Sequence, residues 1–118
     1  HHLNGIFAFA IWNRRKKELF MARDHFGVKP LFYTMKNGSL IFGSEIKAFF
    51  EYPGIEKVLD NQGIGELFGI GPTHTPGFTI YKNIFEILHH HYLTVLQNTL
   101  TLNYPQKLCH IHYIVDCA

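Results

Sequence analysis

Apolar positions fall in short runs through the first third of the chain, and each run is closed by a cluster of turn-forming residues. From Gly5 to Trp12, Ile6, Ala8, Ala10 and Trp12 lie on one side of an extended strand, and Phe7, Phe9 and Ile11 on the other. A strand that is apolar on both faces is expected to be covered on both. The only basic run, Arg14-Arg15-Lys16-Lys17, follows Asn13 and reads as a solvated turn leading into a second strand, Glu18 to Arg23. The stretch Met21 to Tyr33 (Met-Ala-Arg-Asp-His-Phe-Gly-Val-Lys-Pro-Leu-Phe-Tyr) is the one around which the rest is arranged. Gly27 can take positive φ without a Cβ clash, while Pro30 fixes its own φ and pushes Lys29 toward extended geometry. Leu31 to Lys36 is a third strand, Asn37-Gly38 signals a type I′ hairpin, and Leu40 to Gly43 completes an expected four-strand antiparallel meander.

The period then lengthens. Ser44 reads as the N-cap of a helix running to Glu51, with Glu45 near the positive end of its dipole. Ile46, Phe49 and Phe50 recur at helical spacing, so one face of that helix packs on the sheet, and Pro53-Gly54 stops it. Asp60 caps a second short helix with apolar positions Ile64, Leu67 and Phe68, ended by Gly71-Pro72. Gly63, Gly65, Gly69 and Gly71 look superficially like a phosphate loop, but they follow no strand and lack the Gly-Lys-Ser/Thr ending. Thr73 to Phe78 is a loop with Pro76-Gly77 as its turn. Thr79 to Leu88, Tyr92 to Gln97 and Thr99 to Asn103 are further strand candidates, the last two joined at Gln97-Asn98. The expected class is therefore α+β, with antiparallel sheets and short covering helices.

Length and composition narrow the function. At 118 residues the chain is one domain at most, and 47% apolar and 15% aromatic content describes a globular core. A formal charge of +2 without an aromatic-interleaved basic face argues against nucleic acid. Nothing approaches the ~20 apolar residues needed to cross a bilayer. Cys109 and Cys117 match no zinc or redox spacing, so a reducing cytoplasm is the default compartment. The first residue is His1, which points to a processed, tagged or partial chain. Arg23 and Asp24 stand at a strand end, where their side chains reach the turn backbone or each other. A salt-bridged turn that fixes register is the structural reading, and a charged pair bordering a site the functional one. His89-His90-His91 with His110 and His112 offer a rival zinc or nickel site, although no carboxylate or cysteine is spaced to complete it, so no metal is expected.

Three ordered blocks carry a family resemblance: Leu3-Asn4-Gly5-Ile6-Phe7-Ala8-Phe9-Ala10-Ile11-Trp12, then Ala22-Arg23-Asp24-His25-Phe26-Gly27-Val28-Lys29-Pro30-Leu31-Phe32-Tyr33, then Phe42-Gly43-Ser44-Glu45-Ile46-Lys47-Ala48. Their order and spacing resemble the second half of the glutaminase domain of glutamine-hydrolysing asparagine synthetases. The likeness continues through Leu67-Phe68-Gly69-Ile70-Gly71-Pro72 to about Ile87.

The resemblance implies a partial class II (type 2) glutamine amidotransferase domain over residues 1–102, part of an N-terminal-nucleophile hydrolase sandwich of two antiparallel sheets. In that family an N-terminal cysteine attacks the glutamine side-chain amide, with its own α-amino group as base and an oxyanion hole holding the intermediate. The ammonia reaches a synthetase domain where ATP and magnesium have activated aspartate, and asparagine forms. The implied substrates are thus glutamine and aspartate, the implied partner is the synthetase domain, and a homodimer of the whole enzyme is open.

The nucleophile, the glutamine-clamping arginine, the oxyanion segment and the amine-holding aspartate of the family all lie upstream of the part represented here, so no catalytic residue is expected. ATP and magnesium belong to the synthetase domain, leaving this chain without a cofactor. The family's signature maps onto Arg23, Asp24, Gly27, Lys29 and Pro30, followed by Ser44 and Glu45, in structural or site-bordering roles.

After Leu88 the chain departs from the family. His89 and His90 stand where relatives place a Pro-Gly turn, and residues 103–118 form a divergent tail that a frameshift would explain. Lacking the first half of a sandwich, the piece is expected to leave strand edges unpaired and Phe7, Phe9 and Phe42 partly uncovered, and to aggregate or pack loosely. Two other readings stand beside the leading one: a non-catalytic remnant that only packs against a partner, and another class II glutamine amidotransferase.

Overall fold

The first four strands divide between two sheets instead of forming one meander. The computed structural model describes residues 4–71, 75–89, 91–96, 99–101, 105–107 and 110–113. β1 (Ala8–Asn13) and β2 (Glu18–Arg23) form one antiparallel hairpin, with Ala8 opposite Arg23 and Asn13 opposite Glu18. β3 (Phe32–Lys36) and β4 (Ser39–Gly43) form another, closed by Asn37 and Gly38, both at positive φ as a type I′ turn requires. The chain continues through α1 (Ile46–Phe49), α2 (Asn61–Ile70), β5 (Phe85–Glu86), β6 (Tyr92–Leu96), β7 (Thr99–Thr101), β8 (Pro105–Lys107) and β9 (His110–Tyr113). One sheet has the order β1-β2-β6-β7-β8 and the other β5-β3-β4-β9. The described strand pairs are antiparallel except β4 with β9. The class is α+β, antiparallel in the main, with few and short helices.

Alternation explains why two sheets form. Leu19 and Met21 of β2 and Leu93 and Val95 of β6 share one buried cluster with Leu40 and Phe42 of β4, and Ala8, Ala10 and Trp12 pack against it. A single meander would have put these side chains in one plane, whereas placing β3 and β4 in a second sheet lets both inner faces close on each other. Phe42 is accordingly only 8% exposed, against the expectation that it lies partly uncovered. The outer face of the second sheet carries Ile41, which is buried with Phe49 and Ile84 under α1.

The other side of β1 corrects the expectation of cover on both faces. Phe7, Phe9, Phe20 and Tyr92 stack in a row there, with neighbouring ring centroids 5.5, 6.0 and 5.5 Å apart. Tyr92 is nevertheless 70% exposed and Ile11 57%.

Both helices differ in detail from their sequence patterns. α1 is a single turn whose cap position is Glu45, not Ser44, and no side chain caps it. Phe49 does face the sheet, and Ile46 and Phe50 pack beside it. In α2, Asp60 caps as expected, accepting from the N–H groups of Gln62 (3.0 Å) and Gly63 (3.2 Å). Its buried contact comes from a glycine: a Cβ on Gly63 would lie 2.9 Å from Ile80 Cα and Thr79 O, while Phe68 is 85% exposed.

Thr79 to Leu88 is mostly coil, with a strand only at Phe85–Glu86. The Thr79 hydroxyl donates its one proton to the Ile84 carbonyl at 2.9 Å and accepts the Tyr81 N–H at 3.1 Å, so a side chain stands in for a ladder. The Gln97-Asn98 turn, His90, Cys109 and Cys117 lie outside the described residues, as do the side chains of His110 and His112. Among the described residues no helix is long and apolar enough to cross a membrane.

Two glycines of α2 should respond in opposite directions. Gly63→Ala drives a methyl into backbone that cannot swing away, costing about 1–3 kcal/mol. Gly65→Ala, with nothing within 4 Å of the new Cβ, gains about 0.5–1 kcal/mol. Urea unfolding of both variants checks the signs.

Candidate functional site

The signature turn begins where β2 ends. The Asp24 N–H donates to Phe7 O at 2.8 Å, which extends the β1–β2 ladder by one pair, and the chain then leaves the sheet. The Asp24 side chain folds back into its own turn. Oδ1 accepts the N–H groups of Phe26 (2.9 Å) and Val28 (3.1 Å), and Oδ2 accepts that of Lys29 (3.1 Å). The Gly27 N–H reaches the Asp24 carbonyl at 3.2 Å, with Gly27 at φ +65°.

Asp24 is buried. Burial pushes its carboxyl upward, while the N–H groups of Lys29, Val28, Phe26 and Gly27 favour the charged form. The donors prevail and hold the group below the ordinary aspartate range.

Arg23 spans the same turn from outside. Its Nε donates to Lys29 O and its Nη2 to Gly27 O, both at 2.6 Å. Its Nη1 donates to Glu86 Oε1 at 2.6 Å and to Ile87 O at 2.8 Å. The guanidinium therefore joins the end of β2, in the first sheet, to β5, in the second. The ion pair is well shielded, with side chains 9% and 12% exposed. Arg23 and Asp24 do not bond each other: each finds its partners elsewhere, mostly in the backbone.

Of the seven signature positions, the structure gathers five. Gly27 supplies positive φ and a carbonyl, and its Cα lies so close to His89 that a Cβ would stand 3.1 Å from that residue's own Cβ. Lys29 contributes both backbone groups, and Pro30 straightens the exit toward Leu31, whose carbonyl accepts the Ile87 N–H at 2.8 Å. Ser44 and Glu45 are not brought in. Ser44 is exposed, and Glu45 pairs with Lys47 at 2.6 Å on the surface.

The residue missed by sequence reasoning is Glu86, 63 positions from Arg23. Its one available signal was a lone acid inside the apolar run Ile84-Phe85-Glu86-Ile87-Leu88.

Beside the turn opens a cleft of about 260 Å³, lined by Arg23, Phe26, Gly27, Pro76, Glu86, Leu88 and His89. These lining residues include no hydroxyl, thiol or amine to act as a nucleophile. Four N–H groups of Arg23 are already committed, so the guanidinium serves as a clamp between sheets and not as an anion trap. Among the described residues no group of three or more His, Cys, Asp or Glu could hold a metal ion.

A family model described as a glutamine amidotransferase domain matches residues 1–106. The chain belongs to the glutamine amidotransferase domain family. Within it, the chain is 50% identical over 101 residues to asparagine synthetase [glutamine-hydrolyzing] 3 of Bacillus subtilis, covering 86% of this chain and 16% of that protein. It is 35% identical over 95 residues to asparagine synthetase [glutamine-hydrolyzing] 2 of the same organism, covering 77% of this chain and 13% of the relative. Amidase chyE of Penicillium rubens is 31% identical over 121 residues, covering 92% of this chain and 16% of that protein. This amidotransferase chain thus spans a small part of each relative's length.

Arg23→Ala removes the shielded ion pair to Glu86 together with three bonds to backbone carbonyls, and should cost about 3–5 kcal/mol in urea unfolding. Glu45→Gln, at the surface pair, should change stability by less than about 0.5 kcal/mol. Asp24→Asn adds a pH test. A folded-state pKa below the unfolded one stabilises above the unfolded value of about 3.9, and the contribution is lost as pH falls through the folded value. The stability gap between wild type and Asp24→Asn should therefore be constant above about pH 5 and narrow below about pH 4, read from melts across that range.

Proposed function

We propose that this chain is the later part of the glutamine-hydrolysing domain of an asparagine synthase, a class II amidotransferase of the N-terminal-nucleophile hydrolase fold. The 50% identity over 101 residues to a protein named asparagine synthetase carries the reading. The two inner faces meeting in one core suit a two-sheet sandwich, and the bonded signature turn suits a scaffold role.

On this reading the whole enzyme makes asparagine in the cytoplasm from aspartate, ATP and ammonia released from glutamine. It works through a synthetase domain beyond this segment, and a homodimer of the enzyme stays open. The nucleophilic cysteine lies upstream. ATP and magnesium are assigned on this reading to the synthetase domain, and the glycines Gly63, Gly65 and Gly69, which lie within α2, are read as helix positions and not as a phosphate loop. The stretch from 103 onward is read as a divergent tail.

The proposed share of this chain in the chemistry is support. Arg23, Asp24, Gly27, Lys29 and Pro30, with Glu86, order the turn and tie the two sheets together beside the cleft, while Ser44 and Glu45 lead into the single helical turn that packs on the second sheet, Glu45 at its cap position.

The test is to read the coding DNA on both sides and then assay the products. An open upstream frame beginning Met-Cys, with a synthetase domain downstream, is the expected result. The protein from that frame should release glutamate from glutamine and form asparagine, and the 118-residue chain alone should do neither. Stop codons on both sides would make the chain a non-catalytic remnant.

A further inference from the structure

We infer that β8 and β9 form a strap that fastens the two sheets at the end opposite the Arg23–Glu86 clamp, with β9 bonded to the backbone of Leu40 and Phe42. The inference does not rest on the amidotransferase reading. β8 belongs to the first sheet and β9 borders β4 in the second, so the chain passes from one sheet to the other between Lys107 and His110.

The registers place that crossing. In the first sheet Glu18 lies opposite Leu96, Leu96 opposite Thr99 and Thr99 opposite Lys107. This row stands at the start of β2, whereas Arg23 stands at its end. In the second sheet Lys36 lies opposite Ser39 and Ser39 opposite His110, while Glu86, Phe32 and Gly43 make the row at the other end. Lys107 and His110 therefore belong to the two rows farthest from the clamp. They are only three residues apart. Chain of that length reaches about 10–11 Å, and packed sheets are about 10 Å apart, so it suffices for a direct crossing and for little more.

The crossing also accounts for the direction of β9. β4 begins at Ser39 and runs toward the clamp end, and a strand entering beside Ser39 runs the same way. Hence β9 pairs parallel where the other described pairs are antiparallel.

One hydrogen bond fixes which groups β9 meets. The Ile87 N–H donates to Leu31 O, so Leu31 and then Tyr33 turn their backbone groups toward β5. Phe32, Thr34 and Lys36 turn theirs toward β4, where Gly43, Ile41 and Ser39 answer them. Leu40 and Phe42 are left facing β9. Because the main chain makes this contact, it does not depend on the residues that carry the family likeness. Proline falls at the first position of β8, where a strand accepts it, and His110–Tyr113 contains none.

Residue-level hydrogen exchange on the 118-residue chain tests the strap. The Leu40 and Phe42 amides should exchange as slowly as that of Ile41, under conditions where sedimentation shows a monomer. In a parallel ladder Leu40, opposite Ile111, bonds the two neighbours of that residue, so the His112 N–H points at β4 and the Ile111 N–H away from it. His112→Pro should therefore speed exchange at Leu40 and Phe42 about tenfold or more and leave Ile41 protected, while Ile111→Pro should leave all three protected.

Free exchange at Leu40 and Phe42 beside a protected Ile41 in the unaltered chain would show the β4 edge open and overturn the proposal. Protection that appears only in a dimer would assign the strand to another copy, and overturn it too. Equal effects of the two proline substitutions, or a loss at Ile41 as large as at its neighbours, would reduce the segment to general packing and also overturn it.

Discussion

A carboxylate removed from water has to be ringed by donors, and Asp24 finds its own within the next five residues. That requirement shapes the turn. The N–H groups of Phe26, Val28 and Lys29 can converge on one side chain only if the chain coils tightly, which Gly27 allows through its positive φ. The coil carries the backbone out of the first sheet, so β3 begins in the second. Arg23 then grips the carbonyls that the same coil turns outward and carries the connection on to Glu86. Two adjacent residues of opposite charge thus act back to back, one ordering the turn from within and the other fastening it to a distant segment.

Much of the local structure was legible in the sequence. The two hairpins, the Asn37-Gly38 turn, the basic turn after Asn13 and the Asp60 cap each depend on a few neighbouring residues, and each appears where the pattern puts it. The division into two sheets was not legible, because alternation says which side of a strand is apolar and not what covers it. Thr79 to Leu88 reads as a strand by composition, and only the geometry shows the Thr79 hydroxyl drawing the chain into a coil. The same limit applies to the site. The turn residues could be named, while the partner that makes Arg23 a link between sheets lies far along the chain. Ser44 and Glu45 were grouped with the turn by motif alone, and no bond joins them to it among the described residues.

The first sheet has two unlike faces, and the difference is one of partners. Ala8, Ala10, Trp12, Leu19 and Met21 close against the second sheet, whereas Phe7, Phe9, Phe20 and Tyr92 rest chiefly on one another. Ring stacking lowers the exposure of an aromatic row without removing it from water. The cleft by the signature turn is similarly mixed, lined by the Arg23 and Glu86 that hold the sheets together and by Phe26, Pro76 and Leu88.

The long separation between Arg23 and Glu86 also sets an order of assembly. β1–β2 and β3–β4 are local hairpins and can close early, because little chain must be gathered to make them. The first sheet gains its third strand only when Tyr92–Leu96 arrives, and the clamp between sheets waits for Glu86. A nascent chain that has reached α2 therefore holds both hairpins without the ionic clamp between their sheets, and the inner faces gain Leu93 and Val95 only when the following segment arrives.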